Sequence, residues 1–223
     1  LSLQVDGTDA LYIDDSLNVG IGTTAPTVNL EVANNDQENG ATLAITNTYD
    51  GYGWNNNDTI GSLQFKVTEG STTEKVRGSI DVIGTANAAN YPAYNDMIFS
   101  LATTNAITER MRLTDGGNLG LNSLPPNWDT SNTVLTLGSA AFVYGSTNTS
   151  LASMGANAYY DSADGRWEYV NSDYASRYQQ IDGQHIWSTA PSGTANAALT
   201  LSESARIDAS GNLLVGKTSA TGF

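Results

Sequence analysis

The sequence predicts an all-β protein with two related antiparallel β-modules in tandem, and three observations carry that expectation. Only 14% of the 223 residues are charged, and polarity comes instead from Asn, Thr, Ser and Gly. These are residues of pleated strands and tight turns. Short apolar or alternating runs recur between Gly, Asn and Thr clusters, and no convincing amphipathic helix interrupts them. One phrase is also written three times without a gap: IDDSLNVGIGTTAP at 13–26, LTDGGNLGLNSLPP at 113–126 and IDASGNLLVGKTSA at 207–220.

Strands are expected at 28–32 (VNLEV), 41–46 (ATLAIT), 60–67 (IGSLQFKV), 74–83 (EKVRGSIDVI), 96–102 (DMIFSLA) and 107–113 (ITERMRL). In 60–67, Ile60, Ser62, Gln64 and Lys66 alternate with Gly61, Leu63, Phe65 and Val67. In 107–113, Ile107, Glu109, Met111 and Leu113 oppose Thr108, Arg110 and Arg112. Such alternation gives a strand one covered and one wet face. The second half repeats the alphabet at 133–137, 140–144, 166–170, 176–181, 184–188 and 197–201. The best helix candidate, 149–157, is weakened by Gly155 and its Ser and Thr content. Residues 55–57 and 87–90 read as loops.

The repeated phrase is a hydrophobic residue, a polar turn and a short strand. Asn and Gly supply the left-handed turn, and the apolar residues after it pair back. The copies lie about a hundred residues apart, longer than the 20–50 of a solenoid coil. Residues 1–26 then form an N-terminal strand-turn joint, 27–126 a first β-module and 127–223 a second, each module closed by a joint. The module ends align Glu109 with Glu203, Arg112 with Arg206 and Leu113 with Ile207. Short, Gly-rich strands bury little and leave edges to cover, so an oligomer is expected.

A net charge of −14, from 9 basic and 23 acidic residues, speaks against nucleic acid and against an anionic membrane surface. No cysteine is present, so disulfides and thiolate metal sites are excluded. No apolar run approaches the roughly 20 residues of a spanning helix, so membrane insertion is not expected. The chain starts at Leu1 without a basic leader, as a fragment or processed product would.

Catalysis is not expected. His185 is the single histidine, and no nucleophile elbow accompanies it. Asp161, Asp164 and Glu168 cluster in sequence, as do Asp14 and Asp15. Acids cluster freely in turns, so a glycosidase pair is the weaker reading. DSADG at 161–165 lacks the spacing of a calcium loop, and GIGTT at 20–24 lacks the lysine of a phosphate loop. No cofactor or metal is expected. Aromatics give the best binding signal. Tyr49, Tyr52 and Trp54 sit among Gly and Asp, and Tyr91 and Tyr94 flank Pro92. Exposed rings beside amides and carboxylates cover the apolar face of a sugar and bond its hydroxyls; the other reading of Tyr49, Tyr52 and Trp54 is that they cover a module end or a subunit seam. Tyr160, Trp167, Tyr169, Tyr178 and Trp187 fall mostly at strand spacing and are expected in a core or subunit interface.

The phrases MRLTDGGNLGLN and RIDASGNLLVGKTS resemble the joint that recurs in bacteriophage tail fibres and related trimeric virion appendages. NVGIGTTAPTVNLEV (18–32), NAYYDSADGRWEYV (157–170), ASRYQQIDGQHIW (175–187) and TAPSGTANAALTL (189–201) resemble fibre building blocks. The resemblance is weak over 33–100. It implies a homotrimer, intertwined or side by side, located in the virion tail. Its partners would be itself, other tail proteins and host-surface polysaccharide or lipopolysaccharide. A self-cleaving C-terminal chaperone often follows the joint in such fibres. The expected role is non-enzymatic assembly and host attachment. The alternatives are a capsule-degrading tailspike and a structural shaft without receptor binding.

Overall fold

The computed structural model describes residues 1–5, 8–34, 40–48, 55, 57–68, 74–85, 94–103, 106–126, 128, 131–146 and 148–219. They are all-β, and none of them is helical. The chain divides into two compact units, Leu1–Thr46 and Asn47–Phe223.

The first unit is a four-stranded sheet of β1 (Ser2–Val5), β2 (Thr8–Ile13), β3 (Val19–Ile21) and β4 (Leu30–Val32), in that order. The first two pairings are antiparallel, and β3 pairs parallel with β4. The strand expected at 41–46 does not form, and Leu43 and Ile45 stand 71% and 54% exposed. ATLAIT has strand propensity, but propensity alone does not hold a strand that lacks packing and a paired neighbour.

The second unit is a twelve-stranded sheet with a small hairpin. Its strands are β5 (Thr59–Thr68), β6 (Glu74–Gly84), β7 (Asn95–Thr103), β8 (Ala106–Leu113), β9 (Leu119–Leu121), β10 (Asn132–Leu137), β11 (Ala141–Ser146) and β12 (Leu151–Ala156). The hairpin β13 (Tyr159–Asp161) and β14 (Arg166–Glu168) follows, then β15 (Ala175–Ile181), β16 (Gln184–Ala190), β17 (Ser202–Ile207) and β18 (Leu213–Val215). Sheet order follows chain order, with β12 beside β15 and the hairpin left out. Every neighbouring pair is antiparallel except β9 with β10. The helix candidate at 149–157 is instead β12, paired on both sides. The strand expected at 197–201 reduces to one bridge between Ala198 and Glu168, flanked by the Leu199 amide donating to the Trp167 carbonyl, with Leu199 7% exposed.

The three phrases fold alike. Ile13 pairs with Val19, Leu113 with Leu119 and Ile207 with Leu213, each closing a hairpin. The Asp14 carboxylate accepts the amides of Ser16 and Asn18, and Asp208 does the same for Ser210 and Asn212. Thr114 fills this place in the middle copy, its hydroxyl accepting the Asn118 amide. The left-handed residue is Leu17, Gly117 or Gly211, with Asn one position later. The expected part for Asn is thus corrected: Asn18 and Asn212 brace the turn by donating a side-chain N–H to Asp14 and Asp208. A second left-handed residue, Gly22, Asn122 or Gly216, ends each short strand. After it the first two copies run into a parallel strand, β4 or β10.

A bulge also recurs. Opposite Leu3/Gln4, Phe99/Ser100 and Trp187/Ser188, the extra residue is Ala10, Arg110 and Ser204. One inserted residue shifts side-chain parity. The alternation expected in 107–113 therefore breaks at Arg110, and Glu109 and Arg112 come to one face.

One face of the sheet carries the core. Val134, Phe142 and Tyr144 are 2%, 3% and 6% exposed, and Trp128, Tyr159, Tyr169 and Leu199 pack with them. Trp128 meets Phe142 edge-on at 5.2 Å between ring centroids.

Candidate functional site

The other face of the twelve-stranded sheet is apolar and uncovered. One cross-strand row runs Gly61, Val82, Met97, Leu113, Leu119, Leu135, Val143, Met154, Tyr178, Trp187, Ala205, Val215, touching every strand. Directly paired residues share a face, so this row is one continuous stripe. Met97, Met154, Trp187 and Val215 are 39%, 53%, 39% and 71% exposed. Beside it, Leu63, Ile80, Phe99, Met111, Leu121 and Leu137 form a second paired row. An exposed apolar surface this long costs solvation and marks an interaction site.

The predicted aromatics separate. Tyr169 is buried in the core, 5% exposed, and its hydroxyl donates to the Pro191 carbonyl at 2.7 Å. Tyr160 and Trp167 are half-buried on the hairpin against that core. Tyr178 and Trp187 lie instead on the open apolar face, their rings 5.3 Å apart. His185 stacks on Tyr178, whose hydroxyl lies 2.5 Å from Nδ1. Tyr94 is 56% exposed beside β7. Tyr49, Tyr52, Trp54 and Tyr91 lie outside the described residues.

The acids are held by partners. Asp161, Asp164 and Glu168 bring carboxylate oxygens within 4.8 Å of one another, and Arg166 bonds Asp164 and Glu168 at 2.7 Å each. Glu168, 3% exposed, also accepts the Tyr159 hydroxyl at 2.8 Å. That hydrogen bond, then the one from Arg166, holds its carboxyl below the usual range. Burial and the same contact push the Tyr159 phenol up. Neither direction suits a general acid at neutral pH, which needs a raised carboxyl. At the joints, Arg112 is bonded to Glu109 and Asp96 at 2.6 and 2.7 Å. Arg206 forks onto Glu203 and donates to Gln184 at 2.7 Å. Sequence alignment matched these pairs, but the bulge that unites them has no residue signature.

No family model and no curated protein matches the chain. Among solved structures, it is similar to the carboxy-terminal domain of the bacteriophage T5 L-shaped tail fibre. That likeness has 12% identity and a TM-score of 0.43, over 86% of this chain and 92% of the other. The same domain with its intramolecular chaperone domain gives 11% identity and 0.44, over 86% of this chain and 63% of the other.

Proposed function

We propose that the chain is a segment of a phage tail fibre or similar appendage, which assembles as a homotrimer and attaches the virion to a host-surface glycan without catalysis. The observation that carries this reading is the apolar row crossing all twelve strands, uncovered in a single chain. Three copies burying that face together shield Met154, Trp187 and their neighbours, and the charged, buried opposite face stays with its own chain. The joints support the same reading, since each closes a hairpin and the first two feed a new strand. Those joints carry the phrases that resemble tail-fibre sequence. The glycan-binding role is assigned to Tyr49, Tyr52, Trp54, Tyr91 and Tyr94, which the sequence sets among Asn and Asp residues.

Adsorption of the purified chain to a panel of bacterial surface polysaccharides tests it. Wild type binds at least one of them, and Trp54→Ala weakens that binding with the oligomer intact. Absence of binding to any polysaccharide leaves a structural shaft. Release of new reducing ends makes the chain a depolymerising spike. Either result contradicts the proposal.

A further inference from the structure

On the face of the sheet opposite the apolar row, a pocket of about 330 Å³ is lined by Asn132, Tyr144, Arg177 and Gln179 together with Tyr160 and Trp167 of the β13–β14 hairpin. Its chemistry is more specific than its size. The Arg177 guanidinium lies 4.9 Å from the Trp167 ring centroid, over the ring face. Trp167 is 6.0 Å from Tyr144 and 5.8 Å from Tyr160, centroid to centroid. Arg177 Nε is buried without a hydrogen-bond partner. Among the described residues no carboxylate pairs with Arg177, although the chain has 23 acids for 9 bases. Arg112, Arg166 and Arg206 each hold an acid. Arg177 does interact with the Tyr144 hydroxyl, but a guanidinium with no carboxylate partner among the described residues is a seat for an outside anion, and its planar fork takes a carboxylate through two parallel N–H bonds.

We infer that this pocket binds an acidic sugar unit. The sugar carboxylate meets Arg177 beside Trp167, the apolar face of the pyranose lies on Tyr160, whose ring stands at 77° to that of Trp167, and the amides of Asn132 and Gln179 bond hydroxyls. One carboxylate per ring is the anion that a single arginine can match. A phosphate-dense polyanion would meet the net charge of −14 with too few donors. The site is separate from Tyr49, Tyr52 and Trp54. It rests on the attachment reading only for where such a sugar would come from.

The test is saturation-transfer NMR and tryptophan fluorescence on the whole chain. The probes are trigalacturonate, glucuronate and N-acetylneuraminate, with maltotriose as the neutral control. At least one acidic sugar binds about tenfold tighter than maltotriose, the scale of a charged hydrogen bond. Arg177→Met removes that preference, Arg177→Lys retains part of it, and Gln179→Ala weakens binding without unfolding. If Arg177→Met fails to fold, Arg177→Lys and Gln179→Ala carry the test. No binding of any acidic sugar, or equal binding by wild type and the variants, overturns the inference. Solution mass is measured on the same samples. A trimer that binds no acidic sugar refutes the pocket alone, and a monomer that binds one refutes the assembly reading alone.

Discussion

Leu17 and Gly117 hold the same place in two copies of one turn, and both are left-handed, with φ of 66° and 78°. For leucine that conformation costs roughly 1–2 kcal/mol, because its Cβ crowds the following carbonyl. Leu17 is 79% exposed, so almost no burial repays the strain. Leu17→Gly should therefore stabilise the first unit, by about 1 kcal/mol after glycine's own entropy cost. Denaturant unfolding of the two proteins checks it, and a loss of stability would contradict the turn geometry.

Gly120 and Leu214 are a second equivalent pair with opposite demands. A Cβ on Gly120 would stand 2.2 Å from the Ser123 carbonyl oxygen and 2.8 Å from Pro125 Cδ. Gly20 faces the Thr23 carbonyl in the same way, at 2.3 Å. These approaches turn the chain into β4 and β10. In the last copy the place belongs to Leu214, 8% exposed, whose side chain excludes so close an approach. Gly120→Ala should cost about 1–3 kcal/mol. Gly116→Ala, whose nearest neighbours would be 3.8 Å away, should be near neutral. Thermal melts of the two variants separate the cases.

The two joint arginines should differ in weight. Arg112 answers Asp96, whose side chain is 5% exposed, and Arg112→Met leaves that carboxylate without its cation, holding only the Asp115 amide. Breaking a buried pair from one side costs about 3–5 kcal/mol. Arg206 serves Glu203, 15% exposed, and the neutral Gln184. Arg206→Met should lower the melting temperature by less than half as much as Arg112→Met.

Acid should loosen the hairpin. The Glu168 carboxyl is depressed from an ordinary value of 4.5 by Tyr159 first and Arg166 next. A depressed acid contributes stability that is complete above the unfolded pKa and is lost as pH falls through the folded one. Melting temperature should thus fall as pH drops from 4.5 downward, and Glu168→Gln should flatten that slope. Parallel slopes for the two proteins would show that Glu168 carries no such contribution.

The all-β class and the joints were legible because they are local. Asp14 and Asn18 act within one turn and Gly22 ends the three-residue strand after it, and their spacing recurs with Asp208, Asn212 and Gly216. The apolar row was not legible. IGSLQFKV shows Leu63, Phe65 and Val67 on one side, yet alternation cannot say whether that side is covered by the same chain. The bulge at Arg110 escaped the same reading, since nothing in ITERMRL marks where parity shifts. The strand expected at ATLAIT failed because pairing is a property of two segments. Tyr169 and Tyr178 looked equivalent by spacing, but the pairing of β15 with β16 places Tyr178 on the open face, while Tyr169, outside both strands, packs in the core.

The claim that the apolar face is covered by further copies of the chain is tested most directly by solution mass from light scattering. The account predicts three times the 23.5 kDa of one chain. It also predicts that Met154→Asp and Trp187→Asp, each placing a charge on the row, yield folded monomers or loose mixtures. A wild-type mass of 23.5 kDa at micromolar concentration would contradict it.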